Sequence, residues 1–419
     1  LSVDNFALFF QYLFIAVAAA VIIASQDTVS RFRGFVGEYY GLILFSTSGL
    51  MLLASTRELI TIYLSLELST LSAIALVAFF KDGRSTESAI KYLILSAVSS
   101  AVMLYGMALV LGVTGSTELG EIGRQLPVTS LSRNPALLLG VVFIIAGFGF
   151  KISSFPFQMW VPDVYQGAPT PVTAFLAVAS KAAGFAVVLR VFYTAFNDIS
   201  LDWSMLFAIL AIISMSLGNL VAMFQSNLKR LLAYSAIAHA GYIMIGLAAV
   251  ATRVPGGDNV GPQSVLFYLG GYAFTNLAAF FVVNAIANRI GKEEIDDLAG
   301  LGRRSPWMAA ILAIALASLT GLPPTVGFWA KLYLFNAAIK ADLVWLAVAG
   351  AINGAISAYY YLRIIKVMYM SPAPSEERIP SSFSASTALL ITVPGILFFG
   401  FAPWYLLDFA VRATATFAR

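Results

Sequence analysis

Lys151-Ile152-Ser153-Ser154-Phe155-Pro156-Phe157-Gln158-Met159-Trp160-Val161-Pro162 closes an apolar run that begins at Pro135, and it sets an amine and two prolines where a helix would otherwise continue. Proline lacks a backbone donor and clashes with the preceding turn, so the helix breaks there. A second break is written at Thr320-Gly321-Leu322-Pro323-Pro324, inside another apolar run. Breaks of this kind at membrane depth survive only where protein or water satisfies the freed carbonyls. A pair of interrupted spans also points to an internal repeat. Pro156, Pro323 and Pro324 therefore mark two broken helices, and the rest of the chain is read outward from them.

Composition supplies the solvent. Of 419 residues, 60% are hydrophobic and 11% charged, with a mean hydropathy of +0.86. A soluble domain carries roughly 25% charged residues, so this surface is built for lipid. With 0 cysteines, disulfides, thiolate zinc and iron–sulfur ligation are excluded in this chain. A single histidine, His239, excludes a bis-histidine haem within it. The net charge of +4 is spread over loops; without a basic stripe, nucleic-acid binding is not expected. The chain starts Leu1-Ser2-Val3-Asp4, with neither a basic leader region nor a cleavage site before the first apolar run.

A helix needs about 20 apolar residues to cross the hydrocarbon. Twelve candidates are predicted: 6–25, 39–56, 59–80, 88–113, 135–153, 171–196, 203–224, 228–251, 262–288, 306–336, 343–369 and 384–409. The runs are too long for barrel strands and do not alternate. The expected fold is an all-α polytopic membrane protein.

With the first residue placed outside, one side holds Arg31, Arg33, Lys81, Arg84, Lys91, Lys229, Arg230, Arg289, Lys292, Arg303, Arg304, Arg363, Lys366 and Arg378. The other holds only Arg57, Arg124, Arg133, Arg253, Lys340, Arg412 and Arg419. The richer side is expected to be cytoplasmic, which puts both ends of this chain outside. The two breaks lie five spans apart, so an odd-numbered repeat would be inverted. The expected organisation is an N-terminal helix (1–38), a first repeat (39–196), a second, inverted repeat (203–370) and a C-terminal helix (371–419).

Ionisable groups stand inside the spans. Glu67 is about 13 Å deep at 1.5 Å per residue, where a charge costs roughly 2.5–3.5 kcal/mol. It is either a carboxylate pairing two helices or a group that moves charge, and intramembrane ionisable groups are functional by default. Lys151 directly precedes the first break. It could cap the freed carbonyls, or, held between burial and a carboxylate, release and regain a proton. Lys181 lies mid-span beside the small residues Ser180 and Gly184. Lys331 follows the second break and either snorkels outward or joins the buried set. Arg190 is nearer a span end and reads as a structural, snorkelling residue. His239 suits a proton relay by its ordinary pKa, though a lone histidine on an apolar helix is as readily a packing residue. Five buried titratable side chains on five spans are too many for packing, and they suggest a relay rather than a substrate pocket.

The stretch from Lys151 to Val172, with its Asp163-Val164-Tyr165-Gln166-Gly167-Ala168-Pro169 run, resembles subunit N of respiratory complex I, the antiporter-like membrane subunit of NADH:quinone oxidoreductase. So do Leu231-Leu232-Ala233-Tyr234-Ser235-Ala236-Ile237-Ala238-His239 and the run from Leu319 to Lys331. The resemblance implies fourteen helices with two inverted five-helix repeats, each with a broken helix. It therefore implies that the first two family helices are missing ahead of this chain. It further implies that Glu67 and Lys151 are a functional ion pair, that Lys181 connects along a central polar axis, and that Lys331 ends it. Lys292-Glu293-Glu294-Ile295-Asp296-Asp297-Leu298-Ala299-Gly300-Leu301 looks like the family's loop before the second broken helix; by its residues alone it reads as a solvated linker.

The function implied is proton translocation along a buried Glu/Lys/His axis, driven by quinone reduction elsewhere in the complex. This chain would hold no cofactor, with NADH, FMN, iron–sulfur clusters and quinone in other subunits. Its partners would be the other membrane and peripheral subunits of complex I, neighbouring antiporter-like subunits among them, in a bacterial plasma membrane. The alternatives are a subunit of a multi-subunit sodium/proton antiporter or membrane-bound hydrogenase, and a non-transporting scaffold.

Overall fold

The computed structural model describes residues 1–32, 34–126, 134–254, 258–373, 378–379 and 383–417. Arg33, Arg133 and Arg419, counted above for orientation, lie outside the described residues. The described secondary structure is helical apart from two isolated backbone bridges. The principal helices are α1 (Asn5–Ala24), α2 (Val36–Ser55), α3 (Leu59–Val77), α4 (Gly83–Thr114), α5 (Pro135–Ile152), α6 (Trp160–Gly167), α7 (Thr170–Thr194), α8 (Ser200–Ala222), α9 (Leu228–Ala248), α10 (Val260–Ile290), α11 (Pro306–Thr320), α12 (Val326–Lys340), α13 (Val344–Met370), α14 (Phe383–Phe401) and α15 (Pro403–Thr414).

Nine of the described helices are long and apolar enough to cross a membrane, or up to ten if the bent C-terminal pair is one span. The sequence predicts twelve spans, and the differences have local causes. The span 306–336 is two half-helices, α11 and α12. Helix α13 forms as expected, but Asn353, Ser357 and Tyr359–Tyr361 make it less apolar. The run 384–409 is not one straight span. It bends by 90° between α14 and α15, because Pro403 removes a donor and forces Ala402 out of the helical region, to φ −127 and ψ 63.

Both broken helices are present where the prolines place them. Each upstream half ends on a left-handed residue, Ser153 at φ 65 and Gly321 at φ 91. The carbonyls freed at the first break find partners. Gly149 O accepts from Ser154 N at 2.8 Å, and Phe150 O accepts from the Trp160 indole at 3.1 Å. At the second, Ala317 O accepts from Leu322 N at 3.0 Å.

The two halves share a backbone register. In the first, Glu58 bridges to Glu118; in the second, Asn227 bridges to Glu294. The bridges are built alike: Leu59 N donates to Thr117 O, and Leu228 N to Glu293 O, each at 2.9 Å. Close helix contacts follow the same register. A Cβ on Gly49 would lie 2.7 Å from Ser69 N and 3.0 Å from Ser65 O, and one on Gly218 would lie 2.6 Å from Ala238 N and 2.8 Å from Tyr234 O. Glycine is required at both positions because backbone meets backbone. The 292–301 segment is thus not simply a solvated linker; its backbone is paired to the start of α9.

The core is central and the rim apolar. The apolar stretch of helix α7 is fully buried, and those of α9 and α10 are 94% buried, whereas those of α2 and α4 are only 39% and 33% buried. Lys181 and His239 therefore ride on the innermost helices, and Glu67 on an outer one.

Candidate functional site: a buried line of amines

Register places Glu67 of α3 opposite Ala236 of α9, and Thr70 opposite His239. The two helices do equivalent work with different groups. Lys151, 5% exposed, donates to Ser69 Oγ and Thr70 Oγ1 of α3, each at 3.1 Å. Lys181, 1% exposed, donates to the carbonyl of Ala236 on α9. Each buried amine thus reaches the same level of the matching helix.

Glu67 and Lys151 are not joined by an ion pair. The half-buried carboxylate of Glu67 accepts from the Ser100 hydroxyl of α4, while its charge still acts on Lys151 through space. Beside Lys151 and the Ser100 that Glu67 binds lies a cavity of ≈ 20 Å³, lined also by Thr70, Ser96 and Ser99, among others. That is room for about one water among hydroxyl partners. Lys151 does not cap the break carbonyls, since the Trp160 indole and the backbone do so.

The capping role falls to Lys331 instead. It is buried, donates to Thr320 O at 2.7 Å and sits 4.8 Å from the centre of the Tyr242 ring. It does not snorkel. Lys331 stands as far after Pro324 as Asp163 stands after Pro156. The downstream half-helices therefore carry opposite charges at one register position. Asp163 faces outward to Arg230 at 2.7 Å and Lys91 at 3.0 Å.

Between Lys181 and Lys331 lies His239, on whose imidazole both charges act. Its Nδ1 meets the Tyr268 hydroxyl and its Nε2 the Tyr361 hydroxyl, the latter at 3.1 Å. Rings of Tyr242 and Tyr272 close round it at 5.7 and 5.2 Å, and Tyr272 also lies 5.6 Å from the Lys181 amine. His239 is the centre of a polar cluster rather than an isolated packing residue. Among the described residues, no carboxylate hydrogen-bonds or ion-pairs with Lys151, Lys181, His239 or Lys331. Lys181 follows a single π-turn at Leu176–Ser180, a local widening common at functional sites.

Two features escape a reading of the sequence. One is the tyrosine cluster; the i, i+4 pair Tyr268/Tyr272 and the position of Tyr242 one turn after His239 were its only local signals. The other is Arg190. It is 1% exposed and does not snorkel, but binds Asp4 in a fork at 2.6 and 3.0 Å and donates to Ala54 O at 2.8 Å. Burial alone would raise the Asp4 carboxyl. Hydrogen bonds from Arg190 and the Ala7 amide, with the Arg190 charge, outweigh that and hold it well below the ordinary carboxylate range.

A helical membrane protein with two proline-broken helices and buried lysines that, among the described residues, carry no ion pair defines an antiporter-like, ion-translocating class. Residues 56–357 match the family model described as NADH:quinone oxidoreductase/Mrp antiporter, TM, and the chain belongs to that family. NADH-quinone oxidoreductase subunit N of Dehalococcoides mccartyi is 45% identical over 99% of this chain and 86% of the relative. The protein of that name from Moorella thermoacetica is 43% identical with the same coverage. Among solved structures, a chain of respiratory complex I from Thermus thermophilus with bound aureothin matches at TM-score 0.81 and 34% identity, over 98% of this chain and 87% of that one. A chain of the archaeal membrane-bound sulfane sulfur reductase matches at TM-score 0.84 and 26% identity, over 98% and 82%.

Proposed function

We propose that this chain is a proton-translocating membrane subunit of an NADH:quinone oxidoreductase, working beside other membrane subunits of that complex. The observation that carries this reading is the set of three lysines, Lys151, Lys181 and Lys331. All three are buried on spans and none is ion-paired among the described residues. Amines are expensive at such depth. An amine whose only fixed partners are hydroxyls and carbonyls is well suited to exchange its proton with water.

In this reading the chain is a non-redox part of a translocase. The organisation is an N-terminal helix, repeats over 39–196 and 203–370 related by inversion, and a C-terminal segment. The side richer in Lys and Arg faces the cytoplasm of a bacterium, and both ends of the chain lie on the other side. Lys151 takes a proton from the cytoplasmic side. Approach of Glu67 holds the charge on Lys151; withdrawal of Glu67 to Ser100 releases it. The proton passes to Lys181, then through His239 and its tyrosines to Lys331. The driving force comes from quinone reduction in other subunits, where the NADH, FMN and iron–sulfur chemistry resides.

The test is Lys151→Ala in the assembled complex, reconstituted into vesicles with a pH-sensitive dye. Loss of acidification in a complex that still assembles is expected. An unchanged proton-to-electron ratio would overturn the role of Lys151. A second reading, a subunit of an Mrp-type antiporter, is favoured by the shared description of the family model. Proton movement driven by a sodium gradient without NADH would select it.

A further inference from the structure

The polar cluster around His239 does not end at Lys331. A side branch leaves it toward the flank between α8 and α13. The Tyr361 hydroxyl bonds to His239 and to Ser235, and the ring of the adjoining Tyr360 packs against that of Tyr361, centroids 4.4 Å apart. Tyr360 then donates to Asn219 Oδ1 at 2.9 Å. The Asn219 amide donates to Asn353 Oδ1 at 3.1 Å and to Tyr242 OH at 3.2 Å. The Asn353 amide donates to Ser216 Oγ at 3.2 Å and to Ala349 O at 3.0 Å. Ser216 is half-buried, and beside it the flank is open and apolar, with Leu220 49% and Ile352 57% exposed.

The chemistry changes along this branch. Imidazole and hydroxyl groups each donate and accept, so a proton can enter on one side and leave on the other. A primary amide has two donors on nitrogen and acceptors only on oxygen, and passing a proton through it requires the disfavoured imidic-acid form. Asn219 and Asn353 are 0% and 4% exposed. Burying two amides costs free energy unless they are fully bonded, and here both are. A pair of leucines would fill the same space but leave the Tyr360 and Tyr242 hydroxyls without these partners.

We propose that Asn219 and Asn353 form a proton-tight stop. They fix the tyrosine end of the His239 network and close its branch toward the α8–α13 flank, so that protons continue to Lys331. This rests on the reading of His239 as part of a proton path.

The experiment compares Asn219→Asp, Asn353→Asp and Asn219→Leu in the assembled complex in sealed vesicles. It measures passive proton leak at rest under an imposed potential, alongside NADH oxidation. A carboxyl can accept and release a proton, so either aspartate variant should leak several-fold faster than the parent, with NADH oxidation retained. Asn219→Leu should stay tight, and adding His239→Phe to Asn219→Asp should restore tightness. Assembled aspartate variants that remain tight would overturn the stop, as would a leucine variant that leaks equally, which would mean a packing defect. The two proposals fail separately: a tight Asn219→Asp alongside a Lys151→Ala complex that has lost pumping sinks only the stop, whereas normal pumping in Lys151→Ala removes the path itself.

Discussion

The two halves of the molecule handle a buried amine in different ways. In the first, Lys151 faces hydroxyls of an outer helix, and an acid, Glu67, sits half-buried on the Ser100 hydroxyl, which lines a water-sized cavity together with Lys151. In the second, His239 and Lys331, with Lys181 reaching α9 from the first half, are enclosed by tyrosines and backbone carbonyls, and among the described residues no carboxylate bonds to them. At equivalent register, the position of Glu67 is taken by Ala236 and that of Thr70 by His239. The difference teaches that one backbone plan serves two tasks. In the proposed function, an acid at the rim sets the charge of the first amine and a polar cluster in the core passes the proton on.

The largest effect should come from removing the feature that only the first half has. Glu67→Gln leaves the Ser100 contact possible but removes the charge felt by Lys151. Proton translocation by the assembled complex is expected to fall by about tenfold or more. Measured pumping close to that of the parent would erase the contrast between the halves.

Asp4→Asn should come next, through stability. It leaves the Arg190 guanidinium buried without its anion, which costs about 3 kcal/mol or more, read as a lower Tm of the solubilised complex. The folded-state carboxyl lies below its ordinary value of 3.8. Its contribution is therefore fully present above about pH 4 and fades only as the solution becomes more acid. The gap between parent and variant should be constant across neutral pH and shrink only in that acid range.

Glycine substitutions probe the breaks. A Cβ on Gly327 would fall 1.8 Å from Ser318 O, prying the two limbs of the second break apart. On Gly184 it would lie 2.9 Å from Ile152 Cγ2 and 3.2 Å from Lys151 Cγ, contacts that side chains can partly relieve. Overpacking costs roughly 1–3 kcal/mol, so Gly327→Ala should sit at or above the upper end and Gly184→Ala near the lower. Equal Tm losses would count against the rigid fit of the second break. The smallest effect belongs to Arg230→Ala, which breaks a half-exposed pair with Asp163 at 2.7 Å. Less than about 1 kcal/mol, vanishing at high salt, is expected.

The membrane class, both broken helices and all three lysines could be read from the sequence, because proline chemistry and charges in apolar runs are local signals. What could not be read depends on residues distant in the chain. Arg190 looked like a snorkelling side chain because its partner, Asp4, lies at the far end of the sequence. For Lys331 the sequence left snorkelling and burial both open, because the carbonyl it caps, Thr320, is freed only by the geometry of the break. The tyrosines around His239 come from three helices, and tyrosines in apolar spans are too common to stand out. The repeat was legible as a spacing of prolines, while its residue register needed the matched bridges at Glu58 and Asn227.

If the two halves form one path, their lesions cannot add. The decisive measurement is protons moved per NADH oxidised in vesicles carrying Lys151→Ala, His239→Phe and the double variant, with complex content equalised. The double variant is expected to pump no less than the weaker single one. Two partial losses that combine into a clearly larger one would show separate routes and contradict a single line of amines.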